Sequence, residues 1–166
     1  MDLSIRAAEP HEYAEAGEIT ARAYLDDGLL EGGEENPYAS VLRDAAPRAA
    51  QGELLVAVDT DGTLLGTVTY APQGSPLQDI AVPGEAEFRM LAVAHRARGR
   101  GAGESLVRAC TARAKAEEGV VRVVMSTQPT MRGAHRIYER LGFVRTPERD
   151  WEPMPGLSLL TYKLEL

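Results

Sequence analysis

Hydrophobic and polar residues follow two different periods in the first half of the chain. Alternation over residues 3–8 predicts a short strand, and apolar residues spaced three or four apart after Pro10 predict a helix. Two apolar segments flank Thr60-Asp61-Gly62, a sequence typical of hairpin turns. The predicted elements of this half are a strand over 3–8, a helix from Pro10 to about Asp27, a loop over 28–37, a helix over roughly 38–50, and strands over 53–59 and 64–71.

The second half alternates strands with helices. Three prolines and two glycines within residues 72–84 predict a surface loop, and Gly142 predicts the left-handed end of a helix. The predicted elements that follow are strands over 85–93 and 120–127, helices over about 101–118 and 129–141, a strand along FVRTPERDW, and a strand over 157–166. No repeat, low-complexity tract or linker interrupts them. The pattern predicts one mixed α/β domain over residues 1–166.

Composition and charge narrow the class of ligand. The chain has 166 residues, enough to bury a core, and a net charge of −7. An acidic protein with few aromatic residues is unsuited to nucleic-acid binding, which uses a basic face, so HRARGR is not favoured as a DNA or RNA contact. Arg96, Arg98 and Arg100 nevertheless lie within five residues. Such a local positive site suits a small anionic ligand better than a polymer.

Targeting, disulfide and metal signals are missing from the sequence. No apolar run is long enough to cross a membrane, and the N-terminal residues lack the apolar core of a signal peptide, so we expect a cytoplasmic protein without membrane contact. Cys110 is the single cysteine, which excludes an internal disulfide, and its spacing from Leu106 predicts a buried hydrophobe rather than a nucleophile. The scattered His11, His95 and His135 have no metal-site spacing, so no metal is expected.

The segment RGRGAG, residues 98–103, lies between a predicted strand and a predicted helix. The N-terminus of a helix presents unpaired N–H groups and partial positive charge, and glycine lets the backbone approach a phosphate there. A mononucleotide P-loop would need a lysine, which this turn lacks, and a dinucleotide GxGxxG would need glycine where Glu104 or Leu106 stands. A phosphate cradle and a merely tight turn both remain compatible with the segment alone.

A third pattern, [QR]xxGx[GA], fits Arg98, Gly101 and Gly103. On this pattern, and on the downstream segment AHRIYERLGF at 134–143, the chain resembles the GNAT superfamily of acyl-CoA N-acyltransferases. The resemblance implies an α/β fold with a mixed, mostly antiparallel sheet of about seven strands, a splayed parallel central pair and about four helices. It also implies acetyl transfer from acetyl-CoA to a small-molecule or protein amine by direct attack. A non-catalytic acyl-CoA-binding or sensor module of the same fold is the alternative.

The resemblance further implies which residues contact acetyl-CoA. In the family the first motif binds the pyrophosphate, and the bulged strand before it pairs with the pantetheine arm and polarises the acetyl carbonyl. One departure is Met131, which stands seven residues before Tyr138 where many relatives carry asparagine, so Ser126 and Thr127 are expected to contribute more. The implied coenzyme-binding residues are Leu91, Ala92, Val93, Arg98, Gly99, Arg100, Gly101, Ala102, Gly103, Ser126, Thr127 and Met131.

Amine acylation needs a base for the ammonium proton and an acid for the leaving thiolate. Glu87 stands where some relatives carry a catalytic glutamate, and burial would raise its pKa. An ion pair with Arg89, a solvated carboxylate, Glu85 as the base, or deprotonation through ordered water are the alternatives. Tyr138 lies on an apolar helical stripe typical of core residues. The family match assigns its hydroxyl instead as the general acid.

The acceptor site is less defined by the sequence. The group Asp26, Asp27, Glu31, Glu34 and Glu35 lies in the region where GNAT proteins form part of that site, and a negative mouth would attract a cationic amine. A solvated acidic loop is the favoured interpretation. Trp151, the only tryptophan, is expected either to form a wall of the acceptor site or to anchor the sheet. The C-terminal strand is a candidate edge for a homodimer.

Overall fold

The fold is described from a computed structural model that covers residues 3–166. Helices and strands follow one another largely in the order that the hydrophobic periods predict. The strands are β1 (Leu3–Ala7), β2 (Glu53–Asp59), β3 (Leu64–Ala71), β4 (Glu85–Val93), β5 (Arg122–Thr127), β6 (Val144–Arg145), β7 (Trp151–Met154) and β8 (Leu157–Glu165). The helices are α1 (Tyr13–Asp26), α2 (Tyr38–Arg43), α3 (Ala46–Gln51), α4 (Ala102–Ala116) and α5 (Arg132–Arg140).

The strands form one open sheet in the order β1-β2-β3-β4-β5-β8-β6, with β7 paired to β8. All pairs are antiparallel except β4–β5, which is parallel and central. The core includes α4, which buries Leu106, Val107 and Cys110 completely. Burial raises the pKa of the Cys110 thiol, so this residue is an inert core hydrophobe as predicted. The predicted mixed, mostly antiparallel α/β fold is confirmed.

The helix predicted over roughly 38–50 is two helices, α2 and α3, so five helices flank the sheet rather than about four. Pro47 lies in the first turn of α3, where its missing N–H costs nothing, but it could not continue a helix from α2. The buried Arg48 guanidinium donates to the carbonyl oxygens of Val41, Leu42 and Asp44. These hydrogen bonds satisfy carbonyls that the end of α2 leaves unpaired.

The single strand predicted along FVRTPERDW is also wrong. Two-residue strand β6 is followed by a 3-10 turn at Pro147–Arg149 and then by β7, which makes eight strands within the described part of the chain. Pro147 cannot donate to a strand ladder. Thr146 and Thr161 bond through their hydroxyls, and Asp150 accepts the Thr161 N–H, so side chains complete the pairing that the turn interrupts.

Strand β4 carries the distortion that creates the site. Thr69 pairs with Arg89 and Thr67 with Ala92, so two residues of β4, Met90 and Leu91, oppose one residue of β3. Such a two-against-one arrangement is a β-bulge. Met90 has φ of 57°, the only positive value at a non-glycine position in residues 3–166. The parallel pairing with β5 ends at Glu87, and beyond it the two strands diverge.

The start of β4 is held by a buried ion cluster. Glu85 is 1 % exposed, and its carboxylate accepts hydrogen bonds from Arg122 at 2.8 Å and from Arg149 at 2.9 Å. It also accepts the Val82 N–H, and Arg149 donates to the carbonyl oxygen of Ile80. Burial alone would raise the pKa of Glu85, but the two guanidinium groups lower it overall. The cluster therefore fixes the preceding loop against β4.

We expect Glu85→Ala to lower the free energy of unfolding by roughly 2–4 kcal/mol, because two arginines would lose their buried counter-ion. Urea unfolding at constant pH measures the change. Glu165→Ala is the matched control, since Glu165 pairs with the same Arg122 but is half exposed, and its loss should lower the free energy of unfolding far less. Equal effects of the two substitutions would contradict the assigned role of the buried cluster.

Candidate active site

The RGRGAG turn connects the end of β4 to α4, as the sequence predicts. Gly99 has φ of 82° and Gly101, the N-cap of α4, has φ of 84°, and no side chain caps this helix. Glycine is needed at position 103 for a different reason, which is lack of space. A Cβ there would lie 3.0 Å from the Ile137 Cδ1 atom and 3.5 Å from the Val93 Cγ2 atom. Two glycines therefore permit the left-handed backbone, and the third permits close packing of α4 against β4 and α5.

A cleft of about 550 Å³ opens over the N-terminus of α4. The backbone of the turn and the end of β4 form one side of it, and the first turns of α5 form the other. The predicted coenzyme residues that line this cleft are Leu91, Ala92, Val93, Arg98, Gly99, Gly101, Ala102, Gly103 and Met131. Arg100 is half-buried and is not among the lining residues, and Ser126 and Thr127 line a different cavity, described below.

Residues of α5 that the sequence did not mark as candidates also line the cleft. Gly133, Ile137 and Arg140 share one face of α5 by their spacing of four and three, and Arg132 begins the helix. The charged lining residues of the cleft are the arginines Arg98, Arg132 and Arg140 and the carboxylates Asp27 and Glu104. Three cations against two anions leave the cleft locally positive on an acidic protein.

Two of these arginines are held in place by the carboxylates. Arg98 pairs with Asp27 at 3.2 Å, and Arg140 pairs with Glu104 at 2.8 Å. The Arg140 hydrogen bond lowers the pKa of Glu104, so that pair is charged at neutral pH. Both arginines are largely exposed and can turn toward an anion in the cleft.

A second cavity of about 240 Å³ lies on the other side of the bulge. Leu91 and Met131 line both spaces, so the cleft and this cavity meet at those two residues. We call it the Glu87 cavity. Its other walls come from α1, α2, the loop before β4, β5, β7 and β8. It is lined by Tyr24, Tyr38, Asp79, Glu87, Phe88, Arg89, Met90, Leu91, Met125, Ser126, Thr127, Gln128, Met131, Tyr138, Trp151, Pro153, Met154, Leu157 and Leu159.

Glu87 is fully buried on the wall of this cavity. Its Oε1 atom accepts three amide N–H groups, from Asp79, Ile80 and Ala81, at 3.0 to 3.1 Å. Its Oε2 atom is buried and has no hydrogen-bond partner in the described chain. Burial raises the pKa of Glu87 above the usual range of a carboxyl group, with the amide donors opposing the shift and the Asp79 charge adding to it.

The surroundings of Glu87 bear on three of the alternative roles: an ion pair with Arg89, a solvated carboxylate, and Glu85 as the base. Arg89 forms its ion pair with Asp79, at 3.2 Å, and not with Glu87. Full burial excludes a solvated carboxylate at position 87. Glu85 is committed to Arg122 and Arg149 and is absent from the lining of the cavity. Of the two neighbouring glutamates, only Glu87 presents an unpaired oxygen.

Tyr138 lines the same cavity from α5 and is 3 % exposed. Its ring packs against Phe88, Phe143 and Tyr162, with centroid separations of 5.7 to 6.0 Å. Burial raises the pKa of the phenol, so it stays protonated at neutral pH and can donate a hydrogen bond. Tyr24, on α1, is a half-buried tyrosine on the same lining, and nothing in the sequence singled it out.

Trp151 both ties two strands together and lines the Glu87 cavity. Its indole Nε1 donates to the Ser126 Oγ atom at 3.0 Å, which ties β7 to β5, and its ring lines the Glu87 cavity. Thr127 is buried beside this pair, with its Oγ1 atom 3.3 Å from the His135 Nε2 atom. The hydroxyl of Ser126 is therefore engaged within the protein.

The acidic group at 26–35 does not form a pooled negative mouth. Asp26 and Glu34 pair with Arg22, and Asp27 pairs with Arg98. None of the five acidic residues of this group lines the Glu87 cavity, and Asp27 alone lines the cleft over the N-terminus of α4. The carboxylates that do line the Glu87 cavity are Asp79 and Glu87.

Within residues 3–166, no helix is long and apolar enough to span a membrane. The same residues contain no cluster of three or more histidine, cysteine or acidic side chains arranged to hold a metal ion.

Solved structures of other proteins share this fold. Over 98 % of this chain and 96 % of the other, the fold matches a Corynebacterium glutamicum structure described as histone acetyltransferase HPA2 and related acetyltransferase, with a TM-score of 0.74 and 19 % identity. A GCN5-related N-acetyltransferase from Kribbella flavida matches over 99 % and 98 %, with a TM-score of 0.70 and 24 % identity. At these identities the likeness establishes the fold.

A third structure is yncA from Salmonella typhimurium, solved with its cofactor acetyl-CoA; it matches over 100 % of this chain and 95 % of its own, with a TM-score of 0.69 and 19 % identity. No protein of curated function matches the sequence significantly. The family model for acetyltransferases of the GNAT family, however, matches residues 18–143. Because that match includes most of the chain, with the bulged strand, the glycine turn and Tyr138 inside it, the chain belongs to the GNAT acetyltransferase family.

Proposed function

We propose that this protein transfers the acetyl group of acetyl-CoA to a primary amine by direct attack, with Glu87 as the base and Tyr138 as the acid. The observation that carries the proposal is the junction of two spaces at the β4 bulge. A positive, glycine-lined cleft lies on one side, and a cavity with an unpaired carboxylate oxygen and a buried phenol lies on the other. Acyl transfer needs both a coenzyme site and an acid–base pair where they meet.

The cleft fits the chemistry of coenzyme A. Its open helix N-terminus and left-handed glycines offer N–H groups to the pyrophosphate, and Arg98 and Arg132 supply charge. Leu91, Ala92 and Val93, beyond the end of the β5 pairing, would hold the arm that leads to the thioester. Bound acetyl-CoA would supply an activated acetyl group that an uncharged amine can attack.

The residues of this chain would then move two protons and stabilise one developing charge. Glu87 would accept the ammonium proton on Oε2, the carboxylate oxygen without a partner. Backbone N–H groups at the bulge would donate to the carbonyl oxygen as it gains negative charge. As the carbon–sulfur bond breaks, the Tyr138 hydroxyl would donate its proton to the departing sulfur atom, and the second proton of the acetylated nitrogen would restore the phenol. Met131, at the junction, supplies a thioether rather than an amide, so the contact at this position is apolar.

Calorimetric titration with acetyl-CoA and coenzyme A tests the cleft. We expect Arg98→Ala to weaken coenzyme binding about tenfold, because a charge-assisted contact to phosphate is lost. Arg100→Ala is the matched control, since Arg100 belongs to the same turn but not to the lining, and it should change affinity less than about threefold. A greater loss with Arg100→Ala would contradict the geometry of the cleft.

Thiol release in the presence of an amine separates an enzyme from a binding module. The proposal predicts release of coenzyme A that depends on both acetyl-CoA and the amine. Binding of acetyl-CoA without release for any amine would favour a non-catalytic acyl-CoA sensor. Absence of binding to either form of the coenzyme would refute both.

A further inference from the structure

Methionine is concentrated at the Glu87 cavity. The chain has five methionines, and four of them, Met90, Met125, Met131 and Met154, line this one space. They come from β4, β5, the N-cap of α5 and β7, so no single sequence motif brings them together. Methionine side chains are flexible and polarizable, pack well on aromatic rings and adapt to ligands of different shape. The walls thus suit an apolar body, aromatic or aliphatic.

The charge on the cavity wall is limited to three side chains among its described lining residues: Asp79, Glu87 and Arg89. Arg89 is already engaged, with its Nε atom 3.2 Å from the Asp79 carboxylate and its Nη1 atom donating to the Leu77 carbonyl oxygen. When Glu87 is ionised, the cavity is left with one uncompensated negative group. The oxygen that carries it, Oε2, has no partner.

A buried carboxylate oxygen without a donor favours a cationic ligand that brings one. A ligand that also carried a carboxylate or phosphate would need a second cation, and Arg89 could serve only by giving up Asp79. The remaining lining residues are uncharged and mostly apolar, so an acid group would be buried without a counter-ion. The lining of the cavity therefore offers no free counter-ion to the acid group of an amino acid or another zwitterion.

The size of the Glu87 cavity points to a small molecule. The volume of about 240 Å³ is less than half that of the coenzyme cleft, and it is below the range typical of sites for drug-sized ligands. Tyr24 and Tyr38 close one side from α1 and α2, while Trp151 and Leu159 close another from β7 and β8. Two helices and two strands thus flank the position that the amine would take.

We infer that the acceptor is a small primary amine on an apolar aryl or alkyl body, bound as a monocation and lacking an acid group. This inference rests on the proposed function. The ammonium donates to the Glu87 Oε2 atom, the methionines and Trp151 pack on the apolar body, and the amine nitrogen lies toward the junction with the coenzyme cleft. The adaptable walls allow more than one body shape but not a second charge.

Matched pairs that differ only in a carboxylate test the inference. Thiol release at saturating acetyl-CoA is measured for 2-phenylethylamine against L-phenylalanine and for 3-methylbutylamine against L-leucine. We expect kcat/KM for each amine to exceed that of its amino acid at least about tenfold. A lysine-containing peptide is tested as a further acceptor. Preference for the peptide or for either amino acid would overturn the inference.

Trp151 gives a binding readout that does not depend on turnover, because it is the only tryptophan and lies on the cavity wall. We expect 2-phenylethylamine to change its fluorescence in a saturable way, and 2-phenylethanol, which lacks the ammonium, and L-phenylalanine to bind at least about tenfold more weakly. Equal affinity for the alcohol and the amine would overturn the assignment of Glu87 Oε2 as the ammonium acceptor.

A positive charge added to the exposed edge of the Glu87 cavity tests by mutation whether the cavity prefers a monocation. Met154 is 54 % exposed and lines the cavity, so Met154→Arg adds a cation without filling the core. It should lower kcat/KM for 2-phenylethylamine about fivefold and narrow the preference over L-phenylalanine. Val144→Arg is the control, because Val144 is 53 % exposed and outside both spaces. Equal effects of the two substitutions would overturn the inference.

The same experiments separate failure of the inference from failure of the proposed function. Coenzyme binding and thiol release with amino acids in preference to amines would overturn the substrate class while leaving acetyl transfer intact. Coenzyme binding with no release for any compound tested would overturn the substrate class and favour the sensor. Loss of coenzyme binding altogether would refute the proposed function itself.

Discussion

Glu87→Gln should lower kcat/KM for amine acetylation about 10²- to 10³-fold while leaving coenzyme affinity within about threefold. The glutamine carbonyl can accept the three amide N–H groups that Oε1 accepts now, so the loop before β4 keeps its anchor. What is lost is the oxygen that takes the proton. Steady-state thiol release, together with calorimetry on the same samples, measures the two effects separately.

The pH profile gives a second readout for Glu87. Burial raises the pKa of Glu87, and only the deprotonated form can act as a base. kcat/KM should therefore rise with pH through an apparent pKa above about 4.3, the ordinary value for glutamate. In Glu87→Gln this rise of kcat/KM with pH should disappear. If the variant's remaining activity showed the same rise, the rise would belong to another group or to ordered water.

Glu117→Gln is the control for this prediction. Glu117 is half-buried and, like Glu87, holds a loop: it accepts hydrogen bonds from the Tyr70 hydroxyl and the Gln73 N–H, but it lies outside both spaces. It should leave kcat/KM unchanged within about twofold. If Glu87→Gln behaved in the same way, the carboxylate would be an anchor for the loop rather than the base.

Tyr138→Phe should lower kcat about 10²-fold with little change in coenzyme affinity. The ring contacts with Phe88, Phe143 and Tyr162 are retained in phenylalanine, so the core around α5 is preserved. The hydroxyl is removed from a position where burial raises the pKa of the phenol and keeps its proton available. Single-turnover thiol release measures the loss.

Tyr70→Phe serves as the matched substitution for Tyr138→Phe. Tyr70 is also buried, but its hydroxyl donates to Glu117 and it does not line either space. Its loss should cost about 1 kcal/mol of stability and leave kcat unchanged. Unchanged turnover in Tyr138→Phe as well would remove the acid role, and Tyr24, which lines the same cavity, would then be the next phenol to test.

Local sequence determined the order and type of most elements and the position of the glycine turn. Periods of two and of three to four reflect strand and helix geometry directly, and Gly99 and Gly101 reflect the left-handed backbone at the start of α4. The errors at 38–50 and at FVRTPERDW arose because prolines and long-range side-chain bonds ended elements that the periods would have continued. Arg48, which caps α2 from the next helix, is an example.

Only the tertiary structure decided the chemistry of the two glutamates on β4. Glu85 and Glu87 lie two residues apart on one strand, and the sequence could not separate them. Arg122 and Arg149, 37 and 64 residues further along the chain, neutralise Glu85. Three amide donors engage one oxygen of Glu87 and leave the other unpaired. The local pattern of residues determines whether a residue lies on a strand or on a helix. Its charge partners come from distant segments of the chain that only folding brings together.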